Sequence, residues 1–121
     1  MKLRIKGNTL RFRLTQGDVA RLRAGEALRE TTEFAPAQIL VYALEPADGL
    51  QQMQAGFENG VVRVRLPESD VAVWADGHAV GMYGQTGVLE VAIEKDFQCL
   101  TRAGSADEAD AFPNPHAGSK C

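Results

Sequence analysis

A chain that repeats itself constrains its fold twice, and this chain does so openly. Sliding the sequence against itself by fifty-two positions lays residues 11–28 (RFRLTQGDVARLRAGEAL) on residues 63–80 (RVRLPESDVAVWADGHAV) without a gap. Eight of the eighteen positions are identical: Arg11/Arg63, Arg13/Arg65, Leu14/Leu66, Asp18/Asp70, Val19/Val71, Ala20/Ala72, Gly25/Gly77 and Ala27/Ala79. Ordinary residue frequencies would give about one. Outside the segment the match continues in kind, with Gly7-Asn8 on Asn59-Gly60, Leu10 on Val62, Ile39 on Val91 and Val41 on Ile93.

Each copy reads as strand, strand, helix, strand, strand. Gly7-Asn8 is a two-residue turn, and pairing around it sets Ile5 opposite Leu10 and Leu3 opposite Phe12. Asn59-Gly60 is a type I′ turn that sets Phe57 opposite Val62 and Ala55 opposite Val64. Apolar meets apolar in both hairpins, so each register supports itself. The expected core is Leu3, Ile5, Leu10, Phe12, Leu14, Phe57, Val62, Val64, Leu66, Trp74, Val91 and Ile93.

Thr15-Gln16-Gly17-Asp18 and Pro67-Glu68-Ser69-Asp70 then offer helix starts, with a cap residue or a first-turn proline and acidic groups at the positive helix end. Gly25 and Gly77 are expected to end the two helices in the left-handed conformation. Two strands follow in each copy, at residues 28–34 and 39–44 and at residues 79–83 and 88–94. The glycine-rich residues 81–87 are expected to connect the last two.

The predicted architecture is an α+β fold made by tandem duplication of a ββαββ unit. Eight mainly antiparallel strands form a curved or barrel-like sheet with two short helices, because closure removes exposed edges. One domain, 1–121, contains repeats at 1–48 and 49–96 and an irregular acidic tail at 97–121, where Asp107, Glu108 and Asp110 precede Phe112-Pro113-Asn114-Pro115. Phe112 is expected to pack onto the domain and anchor that tail, and at least one of the acidic residues to reach a basic side chain of the Lys2-Arg4-Arg11-Arg13 face.

Charge narrows the function classes. A net charge of -3 speaks against nucleic acid or an anionic membrane as a bulk partner. The chain shows neither a signal-like apolar stretch nor a run approaching the ~20 apolar residues of a membrane span, which reads as a cytoplasmic protein. Cys99 and Cys121 come too late in the chain to frame a disulfide-built fold and read as free thiols.

Locally the charge is uneven. Lys2, Arg4, Lys6, Arg11 and Arg13 share one face of the first hairpin, and Arg63 and Arg65 repeat the Arg-x-Arg pattern in the second. Three accounts are open. The arginines are a solvated face that blocks edge pairing; or they are neutralised internally by Glu90, Glu94, Glu30, Glu33 or the acidic tail; or the two strands meet across a pseudo-twofold and form a concave anion site. Arginine suits bidentate contact with carboxylate or phosphate. On the third account the anion-binding residues are Lys2, Arg4, Arg11, Arg13, Arg63 and Arg65.

Two resemblances bear on this. The segments Lys6-Gly7-Asn8-Thr9-Leu10-Arg11-Phe12-Arg13-Leu14-Thr15, Trp74-Ala75, Glu94-Lys95-Asp96-Phe97 with Cys99-Leu100, and Asp110-Ala111-Phe112-Pro113-Asn114-Pro115 resemble a family of small uncharacterised bacterial proteins, a domain of unknown function. The duplicated charged strand, helix and three strands also resemble, in topology, the triphosphate tunnel fold. That family's metal-holding Glu-x-Glu-x-Lys strand is replaced here by Arg11-Phe12-Arg13.

No other pattern carries chemistry. Cys99, Asp107, Glu108, Asp110, His116 and Cys121 include every ligand type of a zinc or copper site, yet their spacing fits no standard motif. Nothing marks the thiolate of Cys99 as stabilised, with or without His116 as base. His78 follows a helix end, where it would touch free carbonyls. No catalytic residues, metal site or cofactor are assigned, which favours a non-enzymatic role without deciding it. The leading expectation is a binding or interaction module for an anionic small molecule or an acidic protein segment. The alternative is a phosphoryl-transfer or phosphohydrolase enzyme on a tunnel-like barrel. Oligomeric state is not set by the sequence.

Overall fold

A computed structural model describes residues 1–97 together with Phe112. Its elements run β1 (Lys2–Lys6), β2 (Thr9–Leu14), α1 (Gln16–Arg23), β3 (Leu28–Ala35), β4 (Gln38–Ala47), β5 (Gln54–Glu58), β6 (Val61–Pro67), α2 (Glu68–Asp76), β7 (Gly81–Thr86) and β8 (Leu89–Lys95). The order strand, strand, helix, strand, strand thus occurs twice, and the hairpin registers expected from the two tight turns are present, with Leu3 beside Phe12 and Ala55 beside Val64.

Pairing interleaves the halves. One sheet, here sheet A, has the order β1-β2-β8-β7, and the other, sheet B, has β3-β4-β6-β5. Each sheet therefore takes one hairpin from each half of the chain. The outer pairs are antiparallel, but the central pairs β2–β8 and β4–β6 are parallel. This corrects the expectation of a barrel-like sheet: two four-stranded mixed sheets form, and they do not close. Side chains fill the space between them, the Phe12 ring on β2 lying 6.4 Å from that of Tyr42 on β4. Where β5 approaches β7, a single bond from Ala55 N–H to Thr86 Oγ1 (3.3 Å) stands in place of a ladder.

Alternation explains what is inside. Leu10, Phe12 and Leu14 of β2, Val62, Val64 and Leu66 of β6, Leu44 of β4, and Val91 and Ile93 of β8 meet between the sheets. Leu22 of α1 and Val71 and Trp74 of α2 join the same cluster. Each such side chain contributes about 1.5–3 kcal/mol relative to exposure. The Trp74 indole remains satisfied because its N–H donates to the Val80 carbonyl at 3.1 Å.

Two expected core residues lie outside. Ile5 is 57% and Phe57 70% exposed, although their partners Leu10 and Val62 are buried. Each is the penultimate residue of an edge strand, next to a hairpin turn, and its exposure shows that the inward side is not covered there. Phe112, expected to pack onto the domain, is 95% exposed instead. The contacts expected of Asp107, Glu108 and Asp110 lie outside the described residues.

Three local expectations also change. Gly77 has φ -105°, so it is not the left-handed end of α2; a Cβ there would stand 2.7 Å from the Val73 carbonyl oxygen, and close approach explains the glycine. Gly25, at φ 91°, does end α1 as expected, with Gly25 N–H bonding to Leu22 O and Glu26 N–H to Arg21 O. Residues 81–86 are strand β7, the connection being only Gly87-Val88. Finally, Ile39 and Val41 do not correspond to Val91 and Ile93. Ile93 stands beside Phe12 and Leu44 beside Val64, so the equivalence has slipped by three residues, because the β3–β4 hairpin is longer than β7–β8.

Candidate anion-binding face

The six residues expected to hold an anion fall into two groups on different sheets. With Leu10, Phe12 and Leu14 pointing inward, Arg11 and Arg13 stand on the outer face of sheet A, where their ladder partners Arg4 and Lys2 also project. Arg63 and Arg65 stand by the same alternation on the outer face of sheet B. The two Arg-x-Arg strands therefore do not meet across the core. A closed site using all six would need β2 and β6 in one sheet, and the interleaved pairing separates them.

Each group has its own counter-charge. Arg63 Nε donates to Glu45 Oε2 at 2.9 Å across the β4–β6 pair. Arg11 Nε lies 3.3 Å from Glu94 Oε1 across β2–β8. The second contact is out of hydrogen-bonding alignment, leaving that buried nitrogen without a hydrogen-bond partner. Glu94 also accepts from the Tyr83 hydroxyl at 2.9 Å. Burial, then this bond and the Glu94 charge, raise the phenol above its ordinary pKa. Gly81 makes the arrangement possible, since a Cβ there would meet Tyr83 Oη at 2.8 Å and Glu94 Cγ at 2.9 Å.

Asp96 serves the far end of the face. Its N–H donates to the Leu14 carbonyl (2.8 Å), and its carboxylate faces Lys2 Nζ at 3.4 Å and Arg13 at 3.8 Å. Thr9 Oγ1 donates to Glu90 at 3.4 Å. Glu94 was among the expected neutralising residues; Glu45 and Asp96 were not, because the parallel pairs that bring them in cannot be read from hairpin signals.

The two faces differ in balance. Among the described residues, sheet A's outer face carries Lys2, Arg4, Lys6, Arg11 and Arg13 together with Glu90, Glu94 and Asp96. Sheet B's carries Arg29, Arg63 and Arg65 against Glu33, Glu45 and Glu58 and is neutral. On sheet A, Arg4, Lys6, Thr9 and Arg11 line a recess of about 180 Å³.

A larger cavity, about 520 Å³, lies at the helix end between Leu14, Val19, Ala75 and Phe97. Its charged rim is internally engaged: Arg23 Nε reaches both Asp76 oxygens at 3.1 and 3.0 Å, and Lys95 donates to the Gly77 carbonyl at 3.1 Å and lies 5.7 Å over the Trp74 ring. Arg23 accordingly holds the Asp76 carboxyl below its usual range. Lys95, rather than His78, takes the carbonyl at the end of α2.

No group of three or more metal-ligating side chains occurs among the described residues, and Cys99, His116 and Cys121 lie outside them. No helix among the described residues is long and apolar enough to cross a membrane.

A family model described as a family of unknown function (DUF7009) matches residues 1–116. The chain belongs to that family. No curated protein and no solved structure matches it. Membership of DUF7009 bears out, at family level, the resemblance drawn from the sequence. It brings no chemistry with it, so function has to be argued from the geometry above.

Proposed function

We propose that this domain is a non-enzymatic binding module whose outer β1–β2 face takes an anionic partner. One comparison carries the reading. At the β5 positions equivalent to Lys2 and Arg4, the second hairpin has Gln54 and Gly56, opposite Arg65 and Arg63. The same strand pairing is thus made without cations on the edge strand. On β1 they face Arg13 and Arg11 across the ladder, with Asp96 near Lys2 and Arg13 and Glu94 beside Arg11 as counter-charges. The ladder itself does not require cations on its edge strand, and binding an anion gives them a use.

The tunnel-type phosphohydrolase reading has less support. It needs charged side chains lining a closed barrel, whereas here the sheets stay open and the arginines face outward.

The test is a Lys2→Gln/Arg4→Gln variant, which gives β1 the polarity of β5. Titration with a fluorescent oligoglutamate peptide at low and moderate salt should show at least a fivefold loss of affinity and a shallower salt dependence, with folding retained. Equal affinity in the two proteins would overturn the proposal.

A further inference from the structure

We infer that the anionic partner is an acidic polypeptide segment which adds to sheet A as a fifth strand along β1. The inference rests on the anion-binding reading above and deepens it.

β1 is the outermost strand of sheet A and, among the described residues, is laddered to β2 alone. Its two-residue turn fixes which backbone groups are spent. Lys6 and Thr9 flank the turn as a hydrogen-bonded pair, and alternation then assigns Arg4–Arg11 and Lys2–Arg13 to the same class. Leu3 and Ile5 fall between them, so their N–H and C=O groups point away from β2 toward the outer edge, which no described strand pairs. The equivalent amide of β5 belongs to Ala55, and it is capped by Thr86 Oγ1. Among the described residues, the edge of sheet B is thus capped at Ala55, and no equivalent bond occurs at Leu3.

The side chains say what strand this edge accepts. On one face Lys2, Arg4 and Lys6 recur at every second residue, about 6.8 Å apart, the repeat of an extended chain. On the other, Leu3 is half-buried and Ile5 exposed. A segment alternating acidic and apolar residues would put its carboxylates beside the three cations and its apolar side chains beside Leu3 and Ile5, while its backbone completes the edge. Main-chain bonds would supply affinity and alternate side chains specificity. A second copy of β1 fits poorly, because its own cations would oppose these.

The experiment uses the full chain and two fluorescent decapeptides of alternating Glu and Val, one plain and one N-methylated at alternate residues so that charge is kept and one bonding edge is lost. The plain peptide should bind at least tenfold more tightly and slow hydrogen exchange at the Leu3 and Ile5 amides. If both peptides bind equally and those amides stay unprotected, the edge inference fails while the anion-binding face survives. If neither binds, the anion-binding reading falls as well.

Discussion

Arg63 donates to Glu45 across one parallel strand pair, and the pairing has a counterpart in Arg11 beside Glu94 across the other. The two contacts occupy equivalent places in the two sheets, since each arginine sits one position before an inward-facing residue, Phe12 or Val64, that lies beside Ile93 or Leu44. They differ in that Tyr83 also claims Glu94.

Glu94 should therefore restrain anion binding more than it stabilises the fold. The Arg11 side chain is 38% and that of Glu94 15% exposed. An ion pair with one partly exposed member contributes about 1 kcal/mol, and Gln keeps an acceptor for the Tyr83 hydroxyl. Glu94→Gln is expected to lower stability by no more than that, read as a small shift in urea midpoint. It should also raise oligoglutamate affinity about two- to fivefold, because a carboxylate leaves the basic face. Unchanged affinity would show that the face is not where the peptide binds.

A second prediction concerns acid. Asp18 accepts from the Thr15 N–H at 3.0 Å, completing a capping box in which Thr15 Oγ1 accepts from the Asp18 N–H at 3.2 Å; it also faces the Met1 amine at 2.8 Å. Burial pushes its carboxyl up, but the amine and the Thr15 bonds outweigh this and hold it below the ordinary value of 3.8. A lowered folded pKa means that the stabilisation is fully present above the ordinary value and is lost as the pH falls through the folded one. Asp18→Ala should cost about 1 kcal/mol at neutral pH. Its difference from wild type in chemical denaturation should shrink below pH 3.8; a gap that stays constant down to pH 2 would exclude the carboxylate as its source.

The limits of reading this chain from sequence can be seen in particular residues. Gly7-Asn8 and Asn59-Gly60 announce their turns because positive φ is costly elsewhere: Gly7 stands at 55°, Asn59 at 53° and Gly60 at 76°. The registers of the first and third hairpins follow from them. What did not follow is the parallel pairing of β2 with β8 and β4 with β6, made by strands far apart in the chain with no local turn to mark it. That missing step also misplaced the candidate site, since it alone sends Arg11 and Arg63 to opposite faces of the molecule and brings Glu45 and Asp96 to them. Ile5 and Phe57 were legible as inward-facing but not as uncovered, because alternation gives the side of a sheet and not where the opposing sheet ends.

That distinction predicts a difference in cost. Phe12 is fully buried, and Phe12→Ala should destabilise by about 3–5 kcal/mol. Ile5→Thr, at the uncovered end of the same face, should stay within about 0.5 kcal/mol. Comparable losses at the two positions, measured by urea denaturation, would show that Ile5 is packed in solution.

The last prediction follows from the interleaving. Sheet A joins β1–β2 to β7–β8, and sheet B joins β3–β4 to β5–β6, so residues 1–48 alone leave β2 and β4 each without a parallel neighbour. A two-stranded hairpin is marginal in water, and neither hairpin of the fragment can pair with the other without giving up its own place. The fragment should be unfolded as a monomer. Two copies, however, could rebuild the whole arrangement, β2 of each lying beside β4 of the other, so structure should appear only as the fragment dimerises. Circular dichroism and sedimentation over a hundredfold concentration range would follow both properties together, and β-structure in a species sedimenting as a monomer would refute the interleaved pairing as the basis of stability.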